Sequence, residues 1–441
     1  MKRIVLLILM LGFSGLSAQQ NAKKTYSLTE CLDIAASKNF DVILDEAQVQ
    51  ASGAGITQAF GAYLPSLDVN AGYNRTINAE GQSWLDANGQ IVQSNNSYNI
   101  SATTSLSLFD GFSREANYSK AQNNLNFSRL NLEQTLQLVR FNVHRQYIDV
   151  VRNTQLVKIR RENFNQGKKE LERIQAQYEA GFIPVNVVYS QEAELGNREV
   201  DIVQAENQLN ISKTNLLATM GLNPDVDVEF IESSIPTDIL NNDIDDFRRK
   251  TGSIQAAMKL AVDNRSDYKA SEANLEAAKS QITIATAGYM PQLSAVGGWR
   301  WTYFELGSFS ELGRSYAGLN LAIPVFDNFR TNLQIQNAQL IVNQAEVQKQ
   351  RVELGIRQSV QNALLNLETS EKQLEISERA LKASEKNFEV TTERFRQGNA
   401  NITDYTIANT QYITSQINRI TAVYNYIASQ REIEYATGNL R

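Results

Sequence analysis

Two long stretches of the chain place an apolar residue at every seventh position. One reads Val143, Val150, Val157, Phe164, Leu171, Tyr178; the other reads Val360, Leu367, Leu374, Leu381, Phe388, Phe395. An apolar period of 3.5 residues predicts helices that supercoil left-handed against neighbours with knobs-into-holes contacts. The stretches predict one helix from about Arg114 to Gly181 and another from about Thr331 to Gly398, each roughly 67 residues and ~100 Å long. A second stripe, Ser370, Ser377, Ser384 and Thr391, is made of small residues and lets another helix approach closely. Much of the remaining surface is Gln, Asn, Glu, Lys and Arg, which suits a wall with water on both sides.

Shorter helices accompany the long ones. Ser27-Leu28-Thr29-Glu30 is a capping box that opens a helix to about Tyr63, with Asn39-Phe40 as a local break. Others run from about Asn186 to Met220 and from Thr403 to Thr437. Taken together, the short helices of one half match a long helix in length, which predicts one long helix beside two stacked short ones. None of the six prolines falls inside a predicted helix.

Between the helices the period changes to two. From Ser97 to Phe109 the even positions are Tyr98, Ile100, Ala102, Thr104, Leu106 and Leu108, and the odd positions are mostly Ser, Thr or Asn. Leu67, Val69, Ala71 and Tyr73 alternate with Ser66, Asp68 and Asn70, and Leu293, Ala295, Gly297, Trp299, Trp301 and Tyr303 share a face opposite Ser294, Arg300 and Thr302. Four strands are expected, at about 64–77, 97–110, 290–304 and 314–326. Strands of ~10 residues with one apolar face and aromatics near an end suit an outer-membrane barrel, although half-buried strands of soluble sandwiches alternate likewise.

The chain is a duplication. A shift of 226 overlays 28–74 on 254–300, with Tyr63-Leu64-Pro65 on Tyr289-Met290-Pro291. Beyond a loop the shift becomes 217, so that Phe109-Asp110 meets Phe326-Asp327, Gly181 meets Gly398 and Gly221 meets Gly438. The expected organisation is a first repeat over 26–221, an acidic linker over 222–251 and a second repeat over 252–438.

Composition narrows the function. The 441 residues carry 42 basic and 48 acidic side chains, a net charge of −6, so no basic footprint points to nucleic acid. One cysteine, Cys31, and one histidine, His144, leave no room for a disulfide framework, a zinc cluster or a His-centred triad. No phosphate-binding glycine loop or nucleophile motif is present, so the chain is read as no enzyme and needs no cofactor. Lys2 and Arg3, the apolar run Ile4–Leu11 and the small residues up to Ala18 read as a secretory signal peptide over 1–18. Cys31 lies well beyond that run and does not look like a lipid-attachment cysteine. No other segment reaches the ~18 apolar residues of a membrane helix, yet an exported chain can cross lipid as strands. Four strands cannot close a barrel, so they must be shared among subunits: two chains give eight and three give twelve.

Several segments resemble the outer membrane efflux protein family, of TolC type. Tyr63-Leu64-Pro65-Ser66-Leu67 and Tyr289-Met290-Pro291-Gln292-Leu293 match its strand starts, and Leu108-Phe109-Asp110-Gly111 and Pro324-Val325-Phe326-Asp327-Asn328 its strand-to-helix turns. Tyr178-Glu179-Ala180-Gly181 and Phe395-Arg396-Gln397-Gly398 match its helix-to-helix turns. Asn39-Phe40 and Arg265-Ser266 depart from the family's frequent Asn-Pro. The resemblance implies a mainly α chain with membrane β-structure: a homotrimer whose helical barrel in the periplasm continues into a 12-stranded β-barrel in outer-membrane lipid. It implies an exit duct for a tripartite efflux or type I secretion system, with a periplasmic adaptor and an inner-membrane pump as partners. A periplasmic coiled-coil scaffold or adaptor outside the membrane is the alternative; it explains the heptads but not the alternating strands.

By resemblance, Gly181, Phe182, Ile183 and Pro184, together with Gly398, Asn399, Ala400 and Asn401, form tip turns that meet the adaptor; ordinary helix C-caps would look the same at the glycines. Asp404, six residues past Gly398, is placed by resemblance at the pore's periplasmic aperture, whereas Val187 occupies the matching position of the first repeat. An acid in a first helical turn is also stabilised by the helix dipole alone.

Overall fold

A computed structural model describes residues 24–440 apart from 78–80, 86–88, 237–238, 240 and 308, so the segment read as a signal peptide lies outside the described residues. In chain order the first half holds β1 (Lys24–Tyr26), α1 (Leu28–Lys38), α2 (Phe40–Gly61), β2 (Ser66–Arg75), a hairpin of β3 (Gln82–Leu85) and β4 (Ile91–Ser94), β5 (Asn96–Phe109), α3 (Ser113–Glu179) and α4 (Val185–Thr219). A connecting segment holds β6 (Val228–Phe230) and α5 (Asn241–Thr251). The second half holds α6 (Ile254–Asn264), α7 (Ser266–Thr286), β7 (Gln292–Tyr303), a single turn α8 (Phe309–Leu312), β8 (Arg314–Ala322), α9 (Arg330–Arg396) and α10 (Ile402–Ala436).

Both long helices have 67 residues, about 100 Å at 1.5 Å per residue. α2 and α4 lie along α3; α7 and α10 lie along α9 and also touch α3. The upper heptad positions are the best buried: Val143, Val150, Val360 and Leu367 are all 5% exposed or less. The serine stripe does bring helices together, because Ser370 Oγ of α9 lies 2.8 Å from Ser429 Oγ of α10.

The helix expected from Ser27 is parted into two at the expected break, Asn39, whose backbone is extended (φ −62°, ψ 133°). The Asn39 carboxamide oxygen accepts from the N–H groups of Asp41 and Val42, and its Nδ2 donates to the carbonyl of Thr219 at 2.9 Å, tying the start of α2 to the end of α4. Arg265 parts α6 from α7 with nearly the same angles (φ −68°, ψ 127°). Around the middle of the long helices, Tyr147 of α3 donates to the Ile231 carbonyl at 2.7 Å, and β1 pairs in parallel with β6. The connecting segment therefore packs around the waist of the bundle.

The strands β2, β5, β7 and β8 form one antiparallel sheet in that order. β8 stops at Ala322, short of the expected 326, since Pro324 has no N–H to donate to a ladder. The β3–β4 hairpin and α8 occupy the loops beyond the strand ends and carry no counterpart in the period-two reading. Among the described residues, no helix is long and apolar enough to cross a membrane.

Candidate channel wall and tube tip

The register of the sheet decides what each face presents. Leu67 pairs with Thr104, which pairs with Gly297, which pairs with Ala317. On the same face lie Val69, Ala71 and Tyr73, then Ile100 and Ala102, then Ala295 and Trp299, then Leu319 and Leu321. Leu67 is 75% exposed and Leu319 72%, so this apolar face is bare over much of its extent. The other face carries Ser66, Asp68, Asn70, Ser101, Thr103, Ser105 and Asn320, with Ser66 Oγ and Ser105 Oγ 2.9 Å apart across β2 and β5. A sheet with one exposed apolar face and one polar face suits a wall between lipid and water. Aromatic side chains gather at its loop end: Tyr73 and Tyr98 lie 4.9 Å apart between centroids, Trp84 lies 6.1 Å from Tyr303, and Trp301 is covered by Phe309 of α8 at 4.6 Å.

At the opposite end of the strands the chain turns into the long helices. Phe112 and Phe329, equivalent residues of the two halves, both cap their helix from left-handed backbone (φ 68° and 63°). Asp327 Oδ2 accepts from the N–H of Thr331 at 2.8 Å, and Asp110 Oδ2 lies 3.5 Å from Arg114 Nε.

The far ends of the long helices hold the tip turns. α3 closes with Gly181 at φ +78°; the N–H of Phe182 donates to the Gln177 carbonyl at 2.9 Å and that of Gly181 to Tyr178 at 2.8 Å. α9 closes the same way: Gly398 sits at φ +77°, and the N–H of Asn399 donates to Arg394 at 2.8 Å. The two turns then differ. Phe182 is 81% exposed, Ile183 is half-buried and Pro184 caps α4. Asn399 is exposed and held by Arg394, whose Nη2 donates to its carbonyl at 3.2 Å; Ala400 is half-buried. Asn401 caps α10, its side chain accepting from the N–H of Asp404 at 2.8 Å. Asp404 thus stands in the first turn of α10 with an exposed side chain, and Val187, its counterpart, is half-buried.

Behind the second turn the α9–α10 seam is aromatic. Phe395 stacks on Tyr405 at 5.1 Å and Phe388 on Tyr412 at 5.3 Å, and the Arg173 guanidinium of α3 lies 4.8 Å from the Phe395 ring. Burial pushes the Tyr405 hydroxyl above its ordinary pKa. Higher up, a polar group that the heptads do not announce joins three helices: Arg198 of α4 is 3% exposed and donates to the Asn163 carbonyl of α3, while Asn409 of α10 donates to Asn163 Oδ1 at 3.1 Å. Among the described residues no group of His, Cys, Asp and Glu could hold a metal ion.

Known proteins are similar to the chain in sequence and in fold. The chain is 23% identical to the outer membrane protein TolC of Vibrio cholerae, an alignment that covers 100% of this chain and 96% of that one. Its fold is similar to the solved structure of CusC (TM-score 0.78, 16% identity, 93% of this chain and 92% of that one). It is likewise similar to the Campylobacter jejuni CmeC outer membrane channel (TM-score 0.76, 17% identity, 99% and 94%). A family model described as outer membrane efflux protein matches residues 31–222 and 257–439. With that model matching both halves and nearly the whole length, the chain belongs to the outer membrane efflux protein family.

Proposed function

We propose that three copies of this chain close into one tube, an outer-membrane exit duct that passes cargo from an inner-membrane pump and a periplasmic adaptor to the exterior. The observation that carries this reading is the pair of open strands. β2 and β8 are the outermost strands of the sheet, and an open edge is not viable in lipid. The duplication supplies the missing partner. β5 pairs with β7 inside the chain, and the repeat shifts carry β5 onto β8 and β7 onto β2. β8 of one copy therefore pairs with β2 of the next. The family resemblance supports three copies and a barrel of twelve strands.

The helices support the same closure. α7 lies between α3 and α9, whereas α2, its counterpart, touches only the α3 side of such a groove. Ala270 of α7 is 3% exposed; its equivalent in α2, Leu44, is 67% exposed. On α9, Leu340, Val347 and Leu354 are more than half exposed. A neighbouring copy's α2 against this α9 would bury both surfaces by the contact the chain already makes internally.

In this duct the apolar face of the sheet meets lipid and the helices extend through the periplasm. The turns at Gly181 and Gly398 form the end that docks with the adaptor, and Asp404 lines the aperture there, so that a trimer brings three carboxylates together. The chain performs no reaction; the pump supplies the energy. The experiment is fractionation followed by reconstitution: mature protein should sediment with outer membranes and give discrete conductance steps in a planar bilayer. A chain that stays soluble and monomeric without detergent would rule the duct out.

A further inference from the structure

The polar face of the sheet is not uniform. Arg300 of β7 and Arg314 of β8 are directly opposite each other in the antiparallel register. Both belong to the polar face, because their neighbours Trp299 and Ser315 fall on the other one. Both are exposed, and no carboxylate among the described residues lies within ion-pair distance of either. Like charges directly opposite across two strands destabilise the sheet. The equivalent positions of the first repeat are Asn74 and Ser97, which also pair directly and carry no charge. The same sheet thus holds one neutral and one doubly cationic version of a single site, and the cationic one opposes folding. Asp68 is the one acid within the four described strands, and within the chain it lies on β2, two strands from Arg300 and three from Arg314.

Position along the wall assigns the pair a place. Gln292 and Ala322 are the strand ends next to the helices, and Arg300 and Arg314 lie at the opposite, loop end. Trp299, Trp301 and Tyr303 alternate with Arg300 along β7 and fall on the opposite, apolar face, where Phe309 of α8 covers Trp301 and the β3–β4 hairpin holds the Tyr303 hydroxyl. We infer that Arg300 and Arg314 form an electropositive collar inside the outer mouth of the barrel that draws anionic solutes, those bearing carboxylate or phosphate groups, through the exit. The inference rests on the duct reading above, since only a closed barrel turns the polar face inward. Three copies contribute six guanidinium groups. Rings of arginine in a confined lumen select anions, and the planar guanidinium fork fits carboxylate and phosphate oxygens in pairs. The collar operates in a chain whose net charge is −6, so it reverses the prevailing sign locally.

The test is current block by tripolyphosphate in planar bilayers of zwitterionic lipid. The wild-type channel is compared with Arg300→Asn/Arg314→Ser, which installs the pair that the first repeat already carries at this site and so keeps the sheet foldable. Tripolyphosphate added on the barrel side should block the double variant about tenfold more weakly, and the difference should shrink at 1 M salt, where screening acts within ~3 Å. Asn74→Arg/Ser97→Arg should strengthen the block. Channels of normal conductance with equal block in wild type and double variant overturn the collar. A wild-type chain that forms no channels overturns the duct reading itself, a result distinct from unchanged block.

Discussion

Arg198 crosses from α4 to donate from Nη1 to the main-chain carbonyl of Asn163 on α3, 3.0 Å away, through the gap left by Gly167. A β-carbon on Gly167 would stand 2.7 Å from that nitrogen. The guanidinium cannot swing aside, because it is 3% exposed and Glu194 holds its Nε at 3.2 Å.

Gly167→Ala is therefore expected to destabilise the protein by about 1–3 kcal/mol, the clash outweighing the ~1 kcal/mol that alanine gains over glycine in a helix. In an Arg198→Ala background the same change should become neutral or stabilising. Thermal unfolding of the four members of this cycle measures the coupling, and additive effects would show that Gly167 and Arg198 are independent.

Asp327 predicts an acid dependence. Hydrogen bonds from Thr331, side chain first and then main-chain N–H, hold its carboxyl below the ordinary aspartate value of 3.8. A carboxyl depressed in the folded state stabilises it above the unfolded pKa and loses that contribution as pH falls through the folded one. Wild type should thus exceed Asp327→Asn in melting temperature at neutral pH, and the gap should close below about pH 4. A constant gap down to pH 2 would mean that the cap works without its charge.

The tip turns predict a separation of docking from assembly. Ile183 and Ala400 are half-buried in the two turns, far from the strands. Charged or bulky replacements at either should abolish efflux in cells while trimer yield on mild gels stays at the wild-type level. Normal efflux from both variants would count against adaptor docking at these turns.

Asp404 predicts a selectivity change. Its N–H is capped by Asn401 and its side chain is exposed, so the proposed place at the aperture would leave the carboxylate facing the pore. Asp404→Asn should lower cation selectivity and weaken block by multivalent cations from the helical end of the channel. Unchanged selectivity with a slightly lower melting temperature would leave Asp404 as a first-turn acid acting on the helix dipole.

Where the chain has a strong local period, its structure was legible. The seven-residue repeats predict helices whose ends lie within two residues of those observed, because Gly181 and Gly398 stop them with left-handed turns. Period-two alternation separates the faces of β2, β5 and β7 correctly, since each residue's side is set by the pleat alone. β3 and β4, four residues each, are too short to show a period, and the contact of Trp84 with Tyr303 is a tertiary one. β1 and β6 exist because segments about two hundred residues apart meet at the waist. The site was less legible than the fold. Nothing in the local sequence marks Arg198 as buried, because a charged residue on a polar helix reads as solvated. The facing of Arg300 and Arg314 emerges only from the β7–β8 register.

The proposed closed barrel implies a residue-level contact between copies. Ser105 pairs with Val296 inside the chain, and the repeat shifts carry this pair onto Ala322 of one copy and Asn70 of the next. Directly opposite Cα atoms lie about 4.5–5.5 Å apart, within disulfide range. The native Cys31 does not interfere, since it is buried and its thiol is pushed up to about 12. The decisive measurement is non-reducing electrophoresis of outer membranes bearing Asn70→Cys/Ala322→Cys after mild oxidation. The account predicts a ladder ending at the covalent trimer, with far less product from Asn70→Cys/Asn320→Cys, one rung out of register. Monomer alone, a ladder ending at another number, or equal yields from both variants would contradict it.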